Sequence, residues 1–491
     1  MLDSVLNSKN KEYLGKILFG LSILMLFGMV YLVFHKYFLT YDECFTLGLI
    51  KLPTDYGIYV TSLDVHPPLY YLIIKFFITI LPIGNSNYNL VIVSKLISII
   101  PYAIILAVSA TFFKRRYGWL TCGLIAFSLA TMTGFFLNYI TMRMYSWSVL
   151  FLLLSYLSLY LILTENKTKY WVLLSLFTIL GAYTHYFNIV SSAMLYLVFL
   201  VYLIYFRQGL GEIKKWLISA IIPILAYVPW IPSFLMQINH VNEGFWIPPV
   251  SFESLFDYLA YSFTISSDSI IKLIAVFALV ILIIIIFKSL KNHEKRDNFY
   301  FISGIAIFLL TLLSGILVSL ISQPILIDRY LLASISLMLI VMSILLAKID
   351  NNKLLVLFLI LLVLFAAVNM YENKQELSET HKVTVKHENF FNKINNDDSI
   401  VIFMKSSTLL RFGNFLDHAN LYSIENRFGE DYHNHFDFTE INESGIAKLL
   451  DENPDKTVYF ITTDKLEGFD NHKEIHLYSN LKIYSISKQG E

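Results

Sequence analysis

The feature that most restricts how this chain can fold is a recurring apolar run, each roughly 18–24 residues long, the length an α-helix needs to cross the hydrocarbon core of a bilayer. About eleven such runs can be read, at residues 17–34, 90–113, 119–137, 143–163, 170–184, 186–206, 216–234, 269–287, 299–321, 328–347 and 353–371. Lipid offers no partner for backbone N–H and C=O groups, so each run predicts a helix that satisfies them internally. Composition agrees, because 56% of the 491 residues are hydrophobic and only 15% are charged, far from the balance of a water-filled surface. The run beginning at Ile17 is longer than a signal-peptide core and lacks a small-residue cleavage site, so it reads as the first span.

Short loops rich in Lys and Arg mark the cytoplasmic side. Here Lys9, Lys11 and Lys16, then Lys114, Arg115 and Arg116, then Lys167 and Lys169, then Arg207, Lys214 and Lys215, then Lys288, Lys291, Lys295 and Arg296, and finally Lys348 and Lys353 all fall on one side if the N-terminus is cytoplasmic. The run Pro67 to Pro82 is short, proline-bounded and carries Lys75, so it is read as a juxtamembrane or partly re-entrant helix in a first outer loop at about 35–89. After Tyr371 the sequence turns polar and then alternates. Strands are predicted at Ser399–Met404, Asn420–Ile424, Thr457–Thr462 and Leu481–Ser487, with helices at Leu409–Asp417 and Glu443–Glu452. The expected fold class is therefore mainly α, a polytopic protein of the cell (plasma) membrane. Residues 1–371 form the transmembrane module and 372–491 a small C-terminal extracytoplasmic α/β domain that carries no catalytic group.

Lys plus Arg equals Asp plus Glu at 37 each, which gives no basic field for nucleic acid. Cys44 and Cys122 are too few for a disulfide framework.

The polar residues that invite a functional reading cluster in the first outer loop. Tyr41-Asp42-Glu43 follows the first span, and Asp64-Val65-His66-Pro67-Pro68-Leu69 comes some twenty residues later. Taken alone, Asp42 and Glu43 are a solvated interfacial pair or a functional one. His66 and His185 suit phosphate binding, proton transfer, metal ligation or a plain interfacial hydrogen bond. Arg143 and Arg329 stand at the outer ends of spans, where a guanidinium either snorkels to headgroups or grips phosphate in a bidentate fork.

The order of these motifs resembles the protein O-mannosyltransferase and aminoarabinose-transferase type of GT-C glycosyltransferase. The resemblance continues through Asn138–Tyr145, Tyr183–Tyr186, Phe245–Pro249 and Pro324–Tyr330, and covers most of residues 17–350. It implies a GT-C fold and an inverting hexosyl or pentosyl transferase. The donor would be a polyprenyl-phosphate sugar and the acceptor a hydroxyl or similar nucleophile on a protein, lipid or glycan. The family's general base maps onto Asp42, with Glu43 beside it, while Asp64, His66, Arg143, His185, Arg329 and Tyr330 are expected to bind substrate. One carboxylate suffices, since a leaving phosphate needs charge neutralisation more than protonation. The residues commit to no cofactor; a divalent metal on Asp42, Asp64, His66 and His185 stays open, with no ligand signature in their spacing. The rival reading is a polytopic transporter or flippase, which places charge near the bilayer midplane rather than at the outer interface. A second rival is an oligosaccharide polymerase or ligase, which carries a larger late outer loop.

Overall fold

The computed structural model describes residues 7–206, 209–242, 246–289, 295–349, 351–429, 436–463, 472–478 and 481–486. Among them, eight helical segments are long and apolar enough to cross a membrane. One of these, Asn87–Thr131, is 45 residues long, and its backbone leaves helical geometry at Gly118, φ 84°. That left-handed conformation costs a residue without a Cβ nothing, so the segment accommodates the two runs read from sequence. The shorter apolar helices Thr168–Ala182 and Ser269–Ile285 match two more of the expected spans. The chain is thus a multi-pass membrane protein. Arg207, Phe245, Lys291 and Ser487, which belong to loop, motif and strand expectations above, lie outside the described residues.

The chain divides into two compact units. The first comprises residues 1–33, 64–70 and 94–374. Its helix ends are tied by side chains that satisfy broken backbone. The helix ending at Thr131 is followed by Thr133 at φ 44°, an uncommon conformation for a β-branched residue. Asn369, fully buried, holds this turn. Its Nδ2 donates to Thr131 O at 2.9 Å and Phe263 O at 2.8 Å, and its Oδ1 accepts from Thr264 Oγ1 and Ile265 N, both at 3.0 Å.

The second unit comprises residues 34–63, 71–93 and 375–491, so segments of the first outer loop fold with the C-terminal residues. The apolar helix Asn352–Ile394 continues well past the last apolar run. Beyond it, the described strands form one six-stranded sheet in the order β3-β2-β1-β4-β6-β5. Here β1 is Ser399–Phe403, β2 Asn420–Ser423, β3 Phe438–Glu440, β4 Thr457–Thr462, β5 His472–Tyr478 and β6 Leu481–Ile486. Strands β1 to β4 pair in parallel, with Ser399 opposite Thr457, and β6 runs antiparallel to β4. Strand β1 is buried along its whole length, as expected for the centre of a parallel sheet. Ile400, Ile402, Val458 and Phe460 pack with Ile446 and Leu449 of the helix Glu443–Glu452, giving this unit its own core.

Replacing Asn369 with Leu removes both its donors and its acceptor from a buried turn. The expected loss is roughly 1–3 kcal/mol of stability, the usual cost of stranding buried polar groups. Thermal unfolding of purified Asn369→Leu should show a lowered midpoint; a parental midpoint would show that the turn is held by other contacts.

Candidate active site

In the first unit, four turns at helix ends present the polar side chains. His66 sits in the bend before Pro67 and Pro68, and the next residue, Leu69, donates its N–H to Tyr183 O at 2.9 Å. That bond docks the His66 bend on the turn that carries His185. His185 itself caps the helix Tyr186–Tyr205, its Nδ1 accepting from Phe187 N at 3.2 Å. Arg143 lies in the turn before the helix Tyr145–Glu165. Arg329 and Tyr330 lie in the 3-10 turn Asp328–Leu331, where the Asp328 carboxylate accepts from Arg329 N at 2.7 Å. The approach to that turn is pinned by Tyr258, whose hydroxyl donates to Leu326 O at 2.9 Å.

These turns bring five of the expected residues into one continuous array. Arg143 Nη2 lies 2.7 Å from His66 Nε2. A guanidinium only donates, so His66 Nε2 accepts and the imidazole is neutral with its proton on Nδ1. The His66 and His185 rings lie 5.9 Å apart, and Tyr330 meets His185 edge-on at 4.8 Å. Tyr145 joins His185 at 5.5 Å and carries the Arg329 guanidinium over its ring at 5.7 Å, a cation–π contact. Asp64 is half-buried in the turn before His66, with its charge felt at Tyr186.

Burial, and then the neighbouring charges of Arg143 and Arg329, hold both imidazoles in the neutral form. His66 is pushed well below the ordinary histidine range and His185 down to about 3. The arginines cannot shed their protons, so the array keeps two fixed positive charges beside its neutral imidazoles. Its chemistry is that of an anion receptor, and guanidinium geometry matches phosphate oxygens. Tyr145, which closes the Asn138–Tyr145 motif, joins the array without being among the residues expected from sequence. Its hydroxyl is buried and has no hydrogen-bond partner among the described residues.

In the second unit, Asp42 and Glu43 occupy the first turn of the helix Tyr41–Lys51. Glu43 is fully buried. Its Oε2 accepts from Thr40 N at 2.9 Å while Thr40 Oγ1 accepts from Glu43 N at 3.3 Å, a reciprocal capping box that satisfies two orphan N–H groups. Asp42 is half-buried one position earlier, and successive helical residues point about 100° apart, so the two carboxylates serve different directions. At the other end of this helix Lys75 Nζ donates to Ile50 O at 2.8 Å and Leu52 O at 2.7 Å. A cation on the last carbonyls complements the helix dipole, which accounts for the lysine in an otherwise apolar run.

Among the described residues no group of three His, Cys, Asp or Glu side chains is placed to hold a metal ion.

Residues 65–232 match the family described as dolichyl-phosphate-mannose-protein mannosyltransferase. No curated protein matches the sequence. Two solved structures of ArnT from Cupriavidus metallidurans are similar to the whole chain. The apo form has 10% identity and a TM-score of 0.60, covering 96% of this chain and 97% of that one. The form bound to undecaprenyl phosphate has 9% identity with the same TM-score and coverage. At such identity the likeness establishes the fold.

Keeping His66 and His185 neutral has a consequence for pH dependence. Their folded pKa values lie below the unfolded value near 6.5, so the unfolded chain binds more protons and stability falls as pH drops below about 6.5. The melting midpoint should fall between pH 7.5 and 5, and His185→Gln should flatten that slope. An unchanged slope in the variant would mean that His185 titrates normally.

Proposed function

We propose that this membrane glycosyltransferase of GT-C fold takes its sugar from a polyprenyl-phosphate donor and passes it to an acceptor nucleophile on the extracytoplasmic side. The observation that carries the donor assignment is the array Arg143–His66–His185–Tyr330–Tyr145–Arg329, with two permanent charges and neutral donors. The matched family is described by a dolichyl-phosphate sugar, and one similar structure holds undecaprenyl phosphate. Both support a lipid-linked phosphate as the anion.

In this reading Arg143 and Arg329 neutralise the donor phosphate, Tyr145 donates its hydroxyl to a phosphate oxygen, and His185, with Nδ1 accepting, offers an N–H from Nε2. Tyr330 packs against His185 and fixes its ring, while Asp64 and His66 shape the approach. Asp42 accepts the acceptor proton as the nucleophilic oxygen attacks the anomeric carbon. The bond from that carbon to the phosphate oxygen breaks, and its electron pair leaves on the polyprenyl phosphate, inverting the anomeric centre. Glu43 serves this step by holding the helix start rather than by taking the proton. A protein, lipid or glycan hydroxyl satisfies the acceptor role equally, and the transferred group is a hexosyl or pentosyl unit.

Two experiments test the assignment. In a reconstituted assay Asp42→Asn should lower turnover by about two to four orders of magnitude, the ordinary size of a general-base contribution, with donor binding little changed. Arg329→Lys keeps the charge but loses the fork and should weaken donor use, and Arg329→Ala should weaken it further. Parental donor use in both arginine variants would leave Arg329 as a headgroup-snorkelling residue.

The lysine and arginine asymmetry supports a plasma-membrane orientation with the N-terminus cytoplasmic and the C-terminal domain outside. Lys167 and Glu379 have exposed side chains. An impermeant thiol reagent applied to intact cells should label a cysteine at position 379 and spare one at 167; the reverse pattern would invert the topology.

A further inference from the structure

The helix Tyr41–Lys51 carries Asp42, and within its own unit it is gripped from several sides by the C-terminal part of the chain. Just before it, Tyr37 O accepts from His381 Nδ1 at 2.7 Å, and Leu39 N donates to Thr384 Oγ1 at 2.8 Å. Along its flank, a Cβ on Gly48 would lie 2.0 Å from Leu410 O, so backbone meets backbone with no room for a side chain. Over the turn that contains Asp42, the Arg411 guanidinium covers the Tyr41 ring at 4.3 Å and the Phe45 ring at 4.9 Å. Its own position is set by an Nη1 bond to Ser407 O at 2.9 Å. The next loop helix, Thr54–Ser62, is held likewise: Tyr56 Oη donates to Phe428 O at 2.8 Å and Arg427 Nη2 to Leu63 O at 2.9 Å.

We infer that the C-terminal domain positions the catalytic carboxylate, with Arg411 of the helix Ser406–Phe412 as the positioning residue that fixes the Asp42 turn. This rests on Asp42 being the general base. The domain would then be part of the catalytic apparatus although it supplies no group to the reaction. Arg411 suits the task because its planar guanidinium spans two rings that bracket Asp42 at positions 41 and 45, which fixes the rotation of the helix as well as its distance. Residues 37 and 39 fix the entry, and Gly48 fixes the depth. Arg411 lies apart from the sheet core formed by Ile400, Ile402, Val458 and Phe460, so its loss should loosen the turn without unfolding the domain. Small misplacement of a catalytic group costs rate steeply, of the order of a hundredfold for about 1 Å.

The test uses the full chain in lipid nanodiscs with a polyprenyl-phosphate sugar. Arg411→Ala should lower kcat roughly tenfold or more, with donor KM and melting midpoint close to parental; Arg411→Lys, which keeps a cation over the rings, should recover part of the loss. Loss of kcat together with a large drop in melting midpoint and no rescue by Lys would make Arg411 a structural residue and overturn the proposal. Parental kcat in Arg411→Ala would overturn it too. Asp42→Asn, measured in parallel, separates the two ideas. If it abolishes turnover while Arg411→Ala is parental, the base stands and the positioning role falls; if Asp42→Asn is itself parental, the base assignment has failed. Where Asp42→Asn retains a measurable rate, adding Arg411→Ala should change it less than about twofold, because the arginine acts through the carboxylate.

Discussion

Two guanidinium charges that cannot be neutralised sit among imidazoles that burial keeps neutral, and much of the first unit is arranged to hold them there. Arg143 Nη2 meets His66 Nε2 at 2.7 Å, and Arg329 lies over the Tyr145 ring. An imidazole or an aromatic face orients a guanidinium without taking its proton or its charge. The turns at residues 64–69, 141–144, 183–185 and 325–331 are held by backbone and side-chain bonds that keep the array assembled.

The second unit solves a different problem, which is to hold a short helix with a carboxylate in its first turn. Such a helix is marginal alone. It is stabilised at its start by the Thr40–Glu43 capping box, at its end by Lys75, and on its flank by the close approach of Leu410 O to Gly48. Glu43 and Lys75 are thus charged residues whose contacts hold the two ends of this helix.

The spans were legible because hydrocarbon thickness sets helix length, and the runs ending near Ala182 and beginning near Ser269 are found as helices even where they are shorter than usual. The grouping of His66, Arg143, His185, Arg329 and Tyr330 was legible because their motifs recur at span ends. Other features were not. Glu43 belongs to a Thr-x-x-Glu pattern that signals a capping box, but the adjacent Asp42 drew the pair into one catalytic reading. The helix Asn352–Ile394 runs on through polar residues because His381 and Thr384 face a chain segment some 345 residues earlier, a partner that no local pattern reveals. Strands β3 and β5 went unread; Phe438–Glu440 is too short to show alternation and His472–Tyr478 is interrupted by charge. Lys95, nearly fully buried in an apolar helix, carries no sequence mark to distinguish it from a lysine at a span end.

The most direct measurement follows the donor through one reaction. Purified protein in nanodiscs is given a polyprenyl-phosphate sugar labelled in the sugar, together with extracted cell-envelope acceptors, and the lipid products are read by mass spectrometry. The account predicts that the label moves to the acceptor with inverted anomeric configuration and that intact polyprenyl monophosphate is left behind. Recovery of the donor unchanged on the opposite leaflet, or transfer of sugar together with its phosphate, would contradict it.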